Sequence, residues 1–182
     1  MSVRSISVAG ICFFVIAVVA TFYFLWGNQS VATPDTLNPA TAAGEARHVP
    51  EGWREYRNTT HHFSLLYPQG LKVNEHPEGE GASTVTFQNI ERGEGFQIFI
   101  LSYAEPQVSE ERFKKDVPSG IRTDVTDNAV DGAVGAAFYS KNALLGEMRE
   151  VWFIRGGRLY EVTTLKSLET WLSEIMQTWQ FL

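Results

Sequence analysis

Cysteine is nearly absent: the chain of 182 residues has one, Cys12, and it lies inside an apolar run near the N-terminus. Disulfides, Cys-based zinc sites and thiol nucleophiles are therefore excluded from everything that follows it. Basic charge is also scarce. The formal net charge is −6, and residues 51–182 alone carry 13 Lys+Arg against 19 Asp+Glu. A net acidic segment without a basic stripe argues against nucleic-acid binding. Catalytic signatures are missing as well: there is no G-x-S-x-G elbow, P-loop, G-x-G-x-x-G or H-E-x-x-H. The four histidines are His48, His61, His62 and His76. His61 and His62 are adjacent, so their side chains diverge. A weak metal site would need one of them with His76 and Glu75 or Glu78, and solvated loop histidines are the simpler reading. Asp124, Asp127 and Asp131 lack the D-x-D-x-D-G spacing of an EF-hand and read as turn chemistry. A carboxylate pair for hydrolysis is not expected, because the acidic residues fall mostly in predicted loops.

What the sequence does have begins with Ile6–Trp26, 21 residues without a charge. As a helix this run spans about 30 Å, the thickness of a bilayer core. Phe22, Tyr23, Phe24 and Trp26 crowd its far end like an aromatic belt. Arg4 precedes it, and no Lys or Arg follows before Arg47. The positive-inside rule then places the N-terminus in the cytoplasm and the rest in the periplasm or outside the cell. The reading is a single-pass signal-anchor in the cell membrane, with the lipid bilayer as a partner through Ile6–Trp26. The alternative is a cleaved signal peptide, with Ser30-Val31-Ala32 as the site. Signal peptides usually have a shorter apolar core, which favours the anchor. Cys12 follows Ile11 mid-run, which excludes a lipoprotein signal. Residues 27–50 are rich in Ala, Thr, Pro and Asn with no apolar period, a flexible tether. The folded domain is expected over 51–182.

Within it, Trp53–Asn58 and Phe63–Tyr67 read as strands joined by a short turn. Leu71–Glu75 reads as an edge segment, and His76–Ser83 as a polar loop. Thr84–Ile90 alternates apolar and polar residues, and Glu91–Gly95 is a hairpin connection to Phe96–Tyr103. The last strand is apolar on both faces and suits a central position. A short helix is predicted over Glu110–Asp116, capped by Ser109, with Val108 and Phe113 as a hydrophobic staple. Ile121–Val130 and Ala133–Lys141 form another strand pair turned at Asp131-Gly132.

The strongest local signal is EMREVWFIRGGRLYEVTT, Glu147–Thr164. Gly156-Gly157 supplies the positive φ angles of a two-residue hairpin turn. That turn sets Arg155 opposite Arg158, Phe153 opposite Tyr160, Trp152 opposite Glu161 and Val151 opposite Val162. One face then carries Val151, Phe153, Tyr160 and Val162. The other carries Trp152, Ile154 and Leu159 beside Glu150, Glu161 and Thr163. A sheet with one wet face would be more polar on its second side, so both faces are expected to be covered. Arg155 and Arg158 are the one candidate contact for an acidic partner or small anion. The plainer reading is two long side chains splaying into water. Next comes a helix with Leu168, Trp171, Leu172, Ile175 and Trp179 on one face, expected to start at a Ser167 cap. Its tryptophans read as core rather than as a ligand box. Phe181-Leu182 is read as a final short strand or a docked terminus.

The order FSLLYP (Phe63–Pro68), VTF (Val85–Phe87), the Ile-rich strand Phe96–Tyr103, VDG (Val130–Gly132), the REVWF…GRLYEVTT hairpin (Arg149–Thr164) and a closing Trp/Leu/Ile helix resembles the PsbP-related, or Mog1/PsbP-like, family. The resemblance covers residues 53–182. It implies an α+β fold, an antiparallel sheet with helices on both faces. It also implies a non-catalytic role, since family members act mainly as photosystem assembly and oxygen-evolving complex subunits or as a small-GTPase partner. No catalytic motif and no cofactor carry over. The expectation is a tethered binding or assembly module with a protein partner. The alternative is a carrier of a small ligand, lipid or metal, in the cell envelope.

Overall fold

The computed structural model describes residues 47–182. The expected membrane segment Ile6–Trp26, most of the tether and the Ala32 cleavage site lie outside the described residues. Among the described residues, no helix is long and apolar enough to cross a membrane. Residues 48–182 form one compact unit.

Ten strands and two short helices make up this unit. In chain order they are β1 (Trp53–Asn58), β2 (Phe63–Pro68), β3 (Lys72–Gly79), β4 (Ala82–Asn89) and β5 (Glu94–Ser102), then helix α1 (Glu110–Asp116). There follow β6 (Thr123–Val130), β7 (Ala133–Asn142), β8 (Gly146–Arg155), β9 (Arg158–Leu165), helix α2 (Glu169–Met176) and β10 (Gln180–Phe181). Seven strands form one sheet in the order β3-β4-β5-β9-β8-β7-β6, and β1-β2-β10 form a second. Each described pairing is antiparallel.

The β8–β9 hairpin has the register that its Gly-Gly turn predicts, with Arg155 opposite Arg158 and Val151 opposite Val162. Gly156 and Gly157 sit at φ +57 and +72, where a side chain would be strained. The two faces of the hairpin then enter two separate cores. Val151, Phe153, Tyr160 and Val162 join Phe63, Leu65, Phe87, Ile98, Leu172, Ile175 and Trp179 in the larger one. Trp152 and Leu159 join Leu101, Phe113 and Phe138 in the smaller one.

Both faces are covered, as the two-sided apolar pattern demands, but not by the layers of helix expected. The three-stranded sheet shares the first face with α2, and α1 is the one helix in the core of the second. The small sheet was hidden because its closing strand, β10, is two residues long and pairs across the whole chain with β2. Three local expectations also change. His76–Gly79 is the end of β3 rather than loop, paired with β4 through a register shift at Pro77/Gly79. It is an edge strand and mostly exposed, so it carries the polar residues that suggested a loop. The β4–β5 connection is Ile90–Gly93, because Glu94 and Gly95 already pair with Asn89 and Gln88. Ser167 does not cap α2: residues 166–168 form a 3-10 turn, and Leu168 precedes the helix without a side-chain cap. At α1 the expectation holds, since Ser109 Oγ accepts from Arg112 N–H at 3.2 Å.

Candidate functional site

At the surface of the main core a groove lies between α2 and the β6 edge of the seven-stranded sheet. It has a volume of about 500 Å³. Its floor is Val130, Val151, Leu172 and Met176, with Arg149 and Glu169 in its wall and Ser173 of α2 and Gln177, just past the helix, on its rim. Strand β7 runs between β6 and β8 yet lines none of it, because Gly135 and Ala137 pair with Phe153 and Val151 on the same face. Two small side chains on the middle strand leave the space that α2 does not fill.

Charge is organised in the groove wall. The Tyr139 hydroxyl donates to Glu169 Oε2 at 2.5 Å. The Arg149 guanidinium lies 4.9 Å and the Lys166 ammonium 4.4 Å from the centre of the Tyr139 ring. Lys166 also pairs with Glu147 at 3.4 Å. The Glu169 hydrogen bond holds the Tyr139 phenol above its ordinary pKa, because ionising the donor would set two negative charges together. Arg149 makes no ion pair with another described residue, so its charge is available to an acidic group in the groove.

At the β8–β9 turn, Arg155 is exposed and Arg158 half-buried. Neither forms an ion pair among the described residues. The Arg155 guanidinium sits 5.4 Å from the centre of the Phe181 ring. The histidines weighed as metal ligands are separated in environment: His61 is buried, while His62 and His76 are exposed. His61 Nε2 lies 2.7 Å from Ser83 Oγ. Glu75 accepts from the Tyr56 hydroxyl and Glu78 from Thr84. Among the described residues, no group of three or more His, Cys, Asp or Glu is placed to hold a metal. Asp131 instead accepts from the backbone N–H of Phe181 at 2.7 Å, tying the β6–β7 turn to β10. Trp179 stacks on Phe63 at 4.3 Å within the core, and the partly buried Trp171 meets Phe96 edge-on at its margin.

Two carboxylates, already placed on strands by the hairpin register, are buried. Glu150 on β8 and Glu161 on β9 are each 5% exposed, on the face that α1 covers. Glu150 accepts from Ser140, Trp152 and Thr163, which stabilise its charge, but burial outweighs them and raises its pKa. Burial and then the neighbouring Asp116 push Glu161 well above the ordinary carboxylate range, against the pull of Arg112. Arg112 bonds Asp116 four residues on and reaches Glu161 at 3.8 Å. Strand alternation already put both glutamates beside Trp152. It could not reveal that α1 would bring Arg112 and Asp116 over them.

No family model and no curated protein sequence matches the chain. Solved structures do. The cyanobacterial PsbP protein (CyanoP) of Synechocystis sp. PCC 6803 superposes with a TM-score of 0.55 at 15% identity, over 80% of this chain and 100% of that one. The fold is PsbP-like. A protein from Bacteroides thetaiotaomicron matches with a TM-score of 0.43 at 16% identity, over 70% of this chain and 48% of that one, which carries no argument about fold. At 15% identity the likeness to CyanoP shows the architecture of the domain and nothing of its ligands.

Proposed function

We propose that this chain is a non-catalytic binding or assembly module, held at the outer face of a membrane by Ile6–Trp26 and projected by the tether. Its PsbP-like domain takes a segment of a protein partner in the α2–β6 groove. The observation that carries this reading is the groove itself. It has an apolar floor for a side chain and a cation, Arg149, without an ion-pair partner among the described residues. That combination suits a partner segment presenting an apolar residue beside an acidic one. The test places a photo-crosslinking residue at Ser173, on the groove rim, in the full chain in its own membranes. The control sits at Lys114 on α1. One recurrent adduct from Ser173 and none from Lys114 is expected; identical adducts from both positions would remove the groove from the account.

A second reading has its own support. A groove of about 500 Å³ lies within the range of small-ligand sites, roughly 300–1,000 Å³. The ligand would be an acidic amphiphile, its chain on Val130, Val151, Leu172 and Met176 and its carboxylate near Arg149. Native mass spectrometry of the protein as purified would reveal a constant added mass, lost in Arg149→Ala. A bare mass in every preparation would count against it.

A further inference from the structure

A polar rim at the end of the sheet sandwich carries a separate inference. Alternation along β8, β9 and β5 sets Arg155, Arg158 and Ser102 on the face that bears Phe153, Tyr160 and Ile100. Arg155 and Arg158 are direct cross-strand partners, and so are Ser102 and Arg158. Such partners place their Cβ atoms about 5 Å apart. Ser83 on β4 lies on the same face, opposite Ile100 and so diagonal to Ser102, one pair further into the sheet. From the facing sheet, the β1–β2 turn brings His61 and His62. The turn is fixed in place: His61 N–H donates to Asn58, its carbonyl accepts from Tyr160 Oη at 2.8 Å, and the His62 carbonyl accepts from Leu182 N–H.

Two features of this rim are unexplained by folding alone. Like charges directly opposite on paired strands repel, and here neither guanidinium has an ion-pair partner among the described residues. His61 is 7% exposed, and its Nδ1 is buried with no hydrogen-bond partner among the described residues. A buried polar nitrogen left unpaired is destabilising. Burial first, then the Arg158 charge, lower its pKa, which puts guanidinium and imidazole in one electrostatic neighbourhood. Glu75 is the one acidic group acting on His61, and its Oε1 already accepts from Tyr56 at 2.9 Å. The rim therefore gathers two guanidiniums, two imidazoles and two hydroxyls around little compensating negative charge.

We propose that this rim binds a phosphate group, free or carried by a lipid headgroup, between Arg155 and Arg158, with His62 and the Ser83 and Ser102 hydroxyls completing its donors. Guanidinium forks match phosphate oxygens, and paired arginines hold a dianion that a single lysine would not. His61 stands behind them, and a bound anion stabilises its protonated form. The site lies about 20 Å further along β8 than Arg149, so its failure leaves the groove untouched.

The experiment uses the full chain in phosphatidylcholine nanodiscs, with the side-chain resonances of His61 and His62 followed by NMR at constant ionic strength. Inorganic phosphate is expected to shift both saturably and to raise the His61 pKa. In R155Q/R158Q the affinity should fall by at least about tenfold, as two lost charge-assisted contacts predict. K114Q/K115Q, which removes the same charge from α1, should leave it unchanged. Adding phosphatidic acid to the nanodiscs separates the sources. The same shifts without added phosphate, lost in R155Q/R158Q, identify a lipid headgroup, and shifts from inorganic phosphate alone identify a free phosphate. A linear, unsaturated response, or one equal in R155Q/R158Q and K114Q/K115Q, overturns the site.

Discussion

Glu161 is a carboxyl whose chemistry departs from its free state. Its carboxyl is buried between Trp152, Arg112 and Asp116, and its pKa is raised above that of the unfolded chain. The folded protein thus binds this proton more tightly than the unfolded one. The stabilisation is fully present below the unfolded value of 4.5 and is lost as pH rises through the higher folded value. Glu150 acts in the same direction. The groups facing Glu161 are Arg112 and Asp116 from α1 and Glu150 from β8. Glu161→Gln, which keeps the shape and stays neutral, is expected to raise the melting temperature at pH 8 and to flatten its decline between pH 5 and 8. Thermal unfolding across that range checks this; parallel curves for both proteins would refute it. Trp179 is the corresponding apolar case. It is 3% exposed and stacked on Phe63, so Trp179→Ala should cost about 3–5 kcal/mol in urea unfolding. Both residues were visible in the sequence. Trp179 was legible as core from its helical spacing, although it lies just past the end of α2. Glu161 was legible as facing Trp152 but not as a buried carboxyl with a raised pKa, because its neighbours on α1 come from more than 40 residues away.

At the scale of elements, the hairpin and strand β7 set the tightest constraints. Gly157 has φ +72 and open space around it, so Gly157→Ala meets only backbone strain, about 1–2 kcal/mol. Gly135 has an ordinary φ but no space: an added Cβ would lie 2.1 Å from the carbonyl oxygen of Trp152. Gly135→Ala is therefore expected to break pairing between β7 and β8 and cost more than Gly157→Ala. Hydrogen exchange should show protection lost at Gly135–Ala137 and Val151–Phe153 in the first variant only. The sequence marked Gly157 as a turn residue because a Gly-Gly pair between β-formers has one common use. It did not mark Gly135, because a close approach between strands depends on the partner. The same holds for Ser167 and α2. A Ser ahead of an apolar-periodic run is a sound cap signal, yet the 3-10 turn starts at Lys166 and takes that position.

For the whole molecule, the two cores share one sheet and meet no gap in the chain. Residues 48–182 are one compact unit, and they are expected to unfold in a single cooperative transition when produced without residues 1–47. Coincident circular dichroism and tryptophan fluorescence transitions would establish this. Two separated transitions would mean that the α1-covered core melts by itself. The small sheet is the part most exposed to truncation, since β10 holds β2 through only two residue pairs. Removing residues 180–182 should loosen the β1–β2 turn and the His61 rim together.

The sequence alone determined the local elements: the Gly-Gly hairpin with its register, the alternating central strands, the α1 cap and the apolar stripe of the last helix. Each depends on residues within a few positions of one another, where turn geometry and side-chain period leave one good arrangement. The resemblance to the PsbP-like fold rested on the order of those elements. Only the tertiary structure decided which faces met. It closed β10 onto β2, set α1 over Glu150 and Glu161, opened the groove above Gly135 and Ala137, and gathered Arg155, Arg158 and His61 at one end. Those placements come from contacts between distant segments, chosen by how well the apolar faces of two sheets and two short helices could be buried at once. No local pattern encodes that choice.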